Sequence, residues 1–495
     1  LASRNAALAG GIGHGHDKNN EEGLRMTTTR TQIRNGELAQ GFKPRHVTML
    51  SIAGVIGAGL FVGSGHAIAA AGPAAIVAYV LAGTLVVLVM RMLGEMAVAS
   101  PDTGSFSTYA DQAIGRWAGF TIGWLYWWFW VLVIPIEAIA AGVVLNNWFP
   151  QVESWFFALA MTVLLTLTNL FSVAKYGEFE FWFAMLKVIA IVLFIALGGV
   201  ALAGGLPGRE VSGLSQLMAS NGGFMPNGWT AIIGALLTTM FSFLGTEAVT
   251  IAAAESGNPA KNIAKATRSV IWRICVFYLL SIFVIISVVP WNDPLLPVQG
   301  SYQRALEVMH IPYAKFLVDV VVLVAVASCL NSSIYISSRM IFSLARRSDA
   351  PAFIRRTSAA GVPRAAVIAS TVIGMLTTAV NFFAPAQVFA FLLASSGSIA
   401  LLVYLVIAFS QLRMRSILQR RNAEIAFKMW LFPWLTWAVI GFIVFALGVM
   451  FVMPEHRLEV TSTLALAVVI LLLGNLTARR HATAAARSGT VEQGA

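Results

Sequence analysis

Twelve apolar runs, each long enough to cross a bilayer, punctuate this chain and decide the solvent in which it folds. They lie at about 46–71, 73–99, 117–146, 154–173, 181–204, 229–254, 269–290, 314–343, 364–384, 387–412, 430–452 and 459–478. A spanning α-helix needs roughly 20 mainly apolar residues. Breaks separate the runs, among them Gly72-Pro73, Pro101-Asp102, Pro150, Pro207-Gly208, Asn258-Pro259, Pro290-Trp291 and Pro454. In hydrocarbon every backbone N–H and C=O needs an internal partner, and a helix supplies one within itself. Composition agrees: 58% of the 495 residues are hydrophobic and 11% are charged, where a water-soluble domain carries roughly 25% charge. These features predict an all-α membrane protein with twelve transmembrane helices.

The formal net charge of +11 suits either a nucleic-acid binder or a membrane protein with basic inner loops. The placement of the charges decides between them. With the N-terminus inside, the inner segments hold Arg45, Arg91, Arg116, Lys261, Lys265, Arg268, a cluster from Arg339 to Arg364, another from Arg413 to Lys428, and Arg479 with Arg480. The outer loops hold Arg209, Arg304, Lys315 and Arg457. This bias predicts a multi-pass protein of the cell inner membrane with both termini cytoplasmic. Basic residues that alternate with spans form no nucleic-acid patch, though they suit anionic lipid headgroups. Trp117, Trp148, Trp155, Trp291, Trp430 and Trp434 read as interfacial belts. Cys275 and Cys329 lie in apolar runs, so no disulfide framework is expected. No CxxC or HExxH motif points to a metal, and no cofactor is expected. Residues 1–44 read as a disordered cytoplasmic tail without the apolar core of a signal peptide. Leu1 to Arg25 stand either as part of that tail or as translated upstream sequence ahead of a start at Met26.

Two runs carry interruptions near mid-membrane. The first reads Gly54-Val55-Ile56-Gly57-Ala58-Gly59-Leu60-Phe61-Val62-Gly63-Ser64-Gly65. Small residues there serve close helix packing or a local unwinding, since glycine costs about 1 kcal/mol against alanine inside a helix. Unwinding frees backbone N–H groups that can bind a carboxylate, aided by the positive end of the following half-helix. The sixth run reads Met240-Phe241-Ser242-Phe243-Leu244-Gly245-Thr246-Glu247. Its freed carbonyls can bind an ammonium. Paired interruptions in two halves are the best sequence pointer to a transporter's binding site. Together the two breaks suit a ligand with one negative and one positive end.

Several long motifs make the chain resemble bacterial amino acid permeases of the amino acid–polyamine–organocation superfamily, and within it the 4-aminobutyrate permeases. They include RHVTMLSIAGVIGAGLFVGS at 45–64, PDTGSFSTYADQAIGRWAGFTIGWLYWWFWVLVIP at 101–135, YGEFEFW at 176–182, TIAAAES at 250–256, ASCLNS at 327–332 and SSGSIALLVYLVIAFSQLRMR at 395–415. The resemblance implies a five-plus-five inverted repeat, spans one to five over 45–205 and six to ten over 206–412. Two extra spans follow over 413–478, then a C-terminal tail over 479–495. It implies proton-coupled uptake of an amino acid. Carried over by motif, Gly57, Ala58 and Gly59 meet the substrate carboxylate. The backbone around Phe241, Ser242, Leu244 and Gly245 meets the amine, with Phe241 as an aromatic lid. Ala58 has no hydroxyl, so a carboxylate there must use backbone N–H groups.

A charge in hydrocarbon costs several kcal/mol, with estimates from ~2.5 upward, so ionisable residues inside spans need a reason. Glu137, after Pro135 in span three, reads as a proton site, a partner for the substrate amine, or a carboxylate satisfied by neighbouring polar groups. By resemblance Lys187 and Glu247 are coupling or gating candidates, and either can also brace the bundle. An ammonium at Lys187 can take the place of a sodium ion. Asp319 reads as facing the interface, and the polar stretch Ser328, Cys329, Asn331, Ser332 and Ser333 as interhelical hydrogen bonding or as part of a pathway. A channel lacks its filter here, a membrane enzyme lacks its metal ligands or nucleophile, and a sensor lacks an appended signalling domain.

Overall fold

The computed structural model describes residues 44–53, 56–102, 104–171, 173–206, 214, 217, 222–243, 245–254, 256, 258–311, 313–380, 385–421 and 425–492. The elements among them are all helical. Nine helices among the described residues are long and apolar enough to cross a membrane. One of these, Gly59–Ala99, joins the end of the first run to the whole of the second. The runs at 154–173 and 364–384 carry the shorter apolar helices Ser154–Asn169 and Arg364–Ala379. The chain is a multi-spanning all-α membrane protein.

The first run is a broken element. Helix α1 (Pro44–Ala53) is followed by a π-helical turn, Gly59–Gly63, and by α2 (Ser64–Ala71). Helix α3 (Ala75–Ala99) runs back across, and the short α4 (Ser105–Ala113) leads into α5 (Arg116–Trp148). Then come α6 (Ser154–Asn169) and α7 (Val173–Leu202). The sixth run is also broken, into α8 (Gly228–Phe243) and α9 (Ala248–Ala254). Helix α10 (Pro259–Arg273) passes through a π-helical turn, Ile274–Leu279, into α11 (Leu280–Val288). An outer helix, α12 (Ser301–Val308), precedes α13 (Ala314–Arg346), α14 (Arg364–Val380) and α15 (Pro385–Arg420). Helices α16 (Trp434–Val452) and α17 (Pro454–Glu492) close the chain.

Local chemistry explains several boundaries. Asn258 caps α10, its side-chain oxygen accepting the Lys261 N–H at 3.4 Å, and Pro259 occupies the first turn, where its missing N–H costs nothing. Gly245 sits at φ +89°, a left-handed conformation that side chains disfavour, so the break in the sixth run needs a glycine at that point.

Helix α5 is apolar on every side and forms the hub of the bundle, touching α4, α6, α13, α14, α15 and α17. The broken elements lie side by side: α8 packs on α2 and on the π-helical turn, and α9 packs on α1. The gap in the first element therefore faces the neighbouring gap. Outward Leu, Val and Phe side chains on α6, α7, α16 and α17, such as Leu164, Leu193, Phe445 and Leu472, are exposed where lipid would cover them. Trp117, Trp155, Trp430 and Trp434 are exposed too, as belt residues should be. Trp148 instead turns inward, its indole N–H donating to Asp319 at 3.2 Å.

Candidate functional site

At the first break the chain holds a carboxylate of its own. The Ala58 N–H donates to both oxygens of Glu137, at 3.2 and 3.0 Å. Glu137 reaches this point from α5 and is buried. The carboxylate lies against bare backbone. A Cβ on Gly57 would sit 2.6 and 2.8 Å from the Glu137 oxygens and 2.7 Å from the Cβ of Cys329. Gly59 packs as closely on the other broken element, where a Cβ would meet the Ser242 Cα at 2.8 Å and the Phe241 ring at 2.9 Å. The Ser242 hydroxyl donates to the Gly59 carbonyl at 2.7 Å and lies 3.3 Å from the Tyr79 hydroxyl. Both uses of the glycines weighed from sequence, close packing and freed backbone, thus meet in the same three residues. Gly54 and Val55 fall outside the described residues.

Gly59, Phe129, Trp130, Val133, Glu137, Phe241 and Cys329 enclose a cavity of about 10 Å³, room for a single water. It lies between the two breaks. Above it opens a vestibule of about 650 Å³, lined by Phe61, His66, Asn147, Tyr302, Glu307 and Lys315 among others. The rings of Phe61 and Tyr302, both in its lining, stand 4.7 Å apart. His66 is a wall of this vestibule. Asp319, read as facing the interface, is buried and takes bonds from Trp148 and Gln303.

Lys187 approaches the first break from α7. Its ammonium donates to the Ile56 carbonyl at 2.9 Å, and both residues are wholly buried. Seven residues earlier, on the same face of α7, the buried Glu180 accepts from the Ser328 hydroxyl at 2.7 Å and from the Asn331 amide at 3.2 Å. The Asn331 side-chain oxygen Oδ1 in turn accepts from Asn169 at 2.7 Å and Thr168 at 3.1 Å. The polar stretch of α13 is therefore interhelical glue, with Glu180 at its centre. Sequence reasoning passed over Glu180, although it stands inside the YGEFEFW motif two turns before Lys187.

Glu247 closes the second break. Its Oε1 accepts the Gly245 N–H at 3.1 Å and the Tyr126 hydroxyl at 3.1 Å, and its Oε2 accepts the Tyr404 hydroxyl at 3.3 Å. Next to it the Thr246 hydroxyl donates to the Phe243 carbonyl at 2.6 Å and receives a bond from the buried Arg273. Glu247 thereby ties the break to α5 and α15. Leu244 lies outside the described residues. Tyr126, Tyr404 and Arg273 were not singled out in the sequence. Tyr126 stands in the aromatic run of α5.

At the end of the bundle where α1 begins, three ion pairs fall into two groups. Glu95 of α3 meets Arg415 and Gln411 of α15 and also accepts the Met429 N–H at 2.6 Å. Arg116 and Arg347 both approach Asp349, at 3.0 and 3.5 Å. Asp349 lies in the loop after α13, where burial pushes its carboxyl above the ordinary range despite the two guanidinium groups. Among the described residues no group of His, Cys, Asp and Glu could hold a metal ion.

The amino acid permease family model matches residues 46–484. A probable GABA permease of Pseudomonas aeruginosa is 73% identical over 447 residues, covering 90% of this chain and 94% of the relative. The gamma-aminobutyric acid permease of Escherichia coli is 60% identical over 443 residues, covering 90% and 95%. The aromatic amino acid transport protein AroP of Corynebacterium glutamicum is 41% identical over 404 residues, covering 81% and 87%. Among solved structures, a manganese transporter of Eremococcus coleocola aligns with a TM-score of 0.54 at 14% identity, covering 89% of this chain and 94% of its own. That likeness concerns the fold alone.

Proposed function

We infer the function of this chain from the family to which it belongs, the amino acid permeases, which are membrane transporters and not enzymes. The substrate is 4-aminobutyrate or a near relative, taken up with protons across the cytoplasmic membrane. Similarity to two GABA permeases at 73% and 60% identity supports that substrate over the aromatic amino acids of the relative at 41%. A 2-amino acid, carried with protons or by exchange, is the alternative within the same family.

The finer architecture follows the same reading. Twelve spans form two inverted repeats of five, each starting with a broken element, and α16 and α17 are the extra pair. Side-by-side packing of the two breaks supports this arrangement. Both termini lie in the cytoplasm, as the basic loops require, so the 650 Å³ vestibule opens to the outside.

One observation carries the site: the Ala58 N–H at the first break already holds a carboxylate. The substrate carboxylate takes this donor and the backbone of Gly57 and Gly59. The amine points to the second break around Phe241, Ser242, Leu244 and Gly245, and Phe241 covers the pocket. Lys187 is the favoured coupling residue because its charged ammonium holds the Ile56 carbonyl, and deprotonation would remove that charge. Glu247 has a full set of donors and reads as a brace. Competition decides the substrate. Uptake of labelled 4-aminobutyrate should saturate and be inhibited by compounds with the same amine–carboxylate spacing. Inhibition by 2-amino acids alone would transfer the assignment to the alternative.

A further inference from the structure

We propose that Glu137 is a built-in occupant of the substrate-carboxylate site, displaced from the Ala58 N–H as substrate binds, and that this exchange makes the site refuse plain carboxylates. The inference rests on the reading above, in which the Ala58 N–H receives the substrate. It adds an intramolecular competitor for that donor and a rule for what can replace it.

Three observations carry it. The first is chemical identity. Both Glu137 oxygens lie within 3.2 Å of the amide nitrogen, so a carboxylate already makes the hydrogen bond a substrate carboxylate needs. The second is shape. Gly57 leaves its backbone bare where the Glu137 oxygens rest, 2.6 and 2.8 Å from a Cβ it does not have. The third is volume. The cavity between the breaks has about 10 Å³ and cannot admit an amino acid until part of its wall leaves. Phe129 and Trp130 are buried and packed on each other with ring centres 5.2 Å apart, and Gly59 is backbone. Glu137 sits on the donor that the ligand must reach, so its withdrawal both frees that donor and enlarges the pocket.

Charge then sets the selection rule. A bare carboxylate that displaces Glu137 puts two carboxylates into a buried pocket beside a single ammonium, Lys187, which is bonded to the Ile56 carbonyl. A buried charge without a partner is costly. A ligand with an ammonium brings a second positive charge, and the displaced Glu137 pairs with it. Glu137 is thereby a specificity residue: it repels a monocarboxylate and receives the amine of a zwitterion.

The test is equilibrium binding to the purified full chain. Labelled 4-aminobutyrate and labelled butyrate, which lacks the amine, are measured on wild type and on Glu137→Gln. Butyrate should bind the variant at least tenfold tighter than wild type, while 4-aminobutyrate gains nothing, so discrimination between the two collapses. An unchanged affinity ratio in a folded variant overturns the proposal. Wild type that binds no 4-aminobutyrate defeats the substrate reading instead, and the butyrate measurements still decide the exchange. If Glu137→Gln does not fold, ligand-induced infrared difference spectra of wild type, with Glu137→Asp for assignment, give the answer. A shifted glutamate carboxylate band that is lost in Glu137→Asp supports displacement, and its absence overturns it.

Discussion

The Lys187 ammonium and the Ile56 carbonyl meet at 2.9 Å, each wholly buried, at the point where the first membrane helix breaks. A broken helix must give its freed carbonyls a partner, and here a side chain from α7 supplies the positive charge that a bound cation supplies elsewhere. Lys187→Ala removes that charge without adding bulk. It should abolish accumulation driven by a proton gradient, by tenfold or more, while counterflow down a substrate gradient persists. Glu247→Gln is the control. If it loses gradient-driven accumulation and Lys187→Ala keeps it, coupling belongs to the glutamate.

Gly59 holds two broken helices together as well as bordering the pocket. A larger residue must push the Ser242 backbone, which cannot yield as a flexible side chain does. Overpacking of this kind costs about 1–3 kcal/mol. Gly59→Val should lower the melting temperature of the purified protein and eliminate 4-aminobutyrate binding. Wild-type affinity in that variant contradicts the placement of the site.

Tyr126 and Tyr404 are expected to act through one carboxylate. Each donates to Glu247, at 3.1 and 3.3 Å, and leaving a buried acceptor without its donor costs about 1–3 kcal/mol. Tyr126→Phe and Tyr404→Phe should each destabilise the protein by that order. Because they share a partner, the double variant should depart from the sum of the singles. Strict additivity in thermal denaturation argues that the two phenols do not serve a common group.

The Glu95–Arg415 pair should matter for folding rather than for substrate choice. Arg415→Ala strands a buried carboxylate with Gln411 and the Met429 N–H as its remaining donors among the described residues. Breaking such a pair costs about 3–5 kcal/mol. The expected result is a large loss of folded yield, with substrate affinity unchanged in what survives. A selective change in affinity at wild-type stability would place this pair in the transport path.

Much of this was legible in the sequence because hydrocarbon leaves few options. Apolar runs become helices, and clustered glycines such as Gly57 and Gly59 stand where helices part. What stayed hidden was pairing. Nothing in the run around Pro135 shows that Glu137 reaches the Ala58 amide, since the two are far apart in sequence and meet only once α5 packs against the first break. Asp319 reads as an interfacial acid until Trp148 and Gln303 turn toward it. Glu180 was an accessible miss. Seven residues from Lys187, it shares a helix face with it, and a buried carboxylate two turns from a buried lysine is readable without coordinates. Helix count is the other difference. Nine helices among the described residues meet the length and apolarity for crossing, because one begins inside the first run and two others are short.

We infer that this chain moves 4-aminobutyrate with protons through the gap between its two breaks. The direct measurement is accumulation of labelled 4-aminobutyrate in proteoliposomes of the purified protein, with an imposed inward proton gradient and with none. Uphill accumulation that needs the gradient, collapses with a protonophore and vanishes in Lys187→Ala is the predicted result. Accumulation indifferent to the gradient, or uptake confined to 2-amino acids, contradicts it.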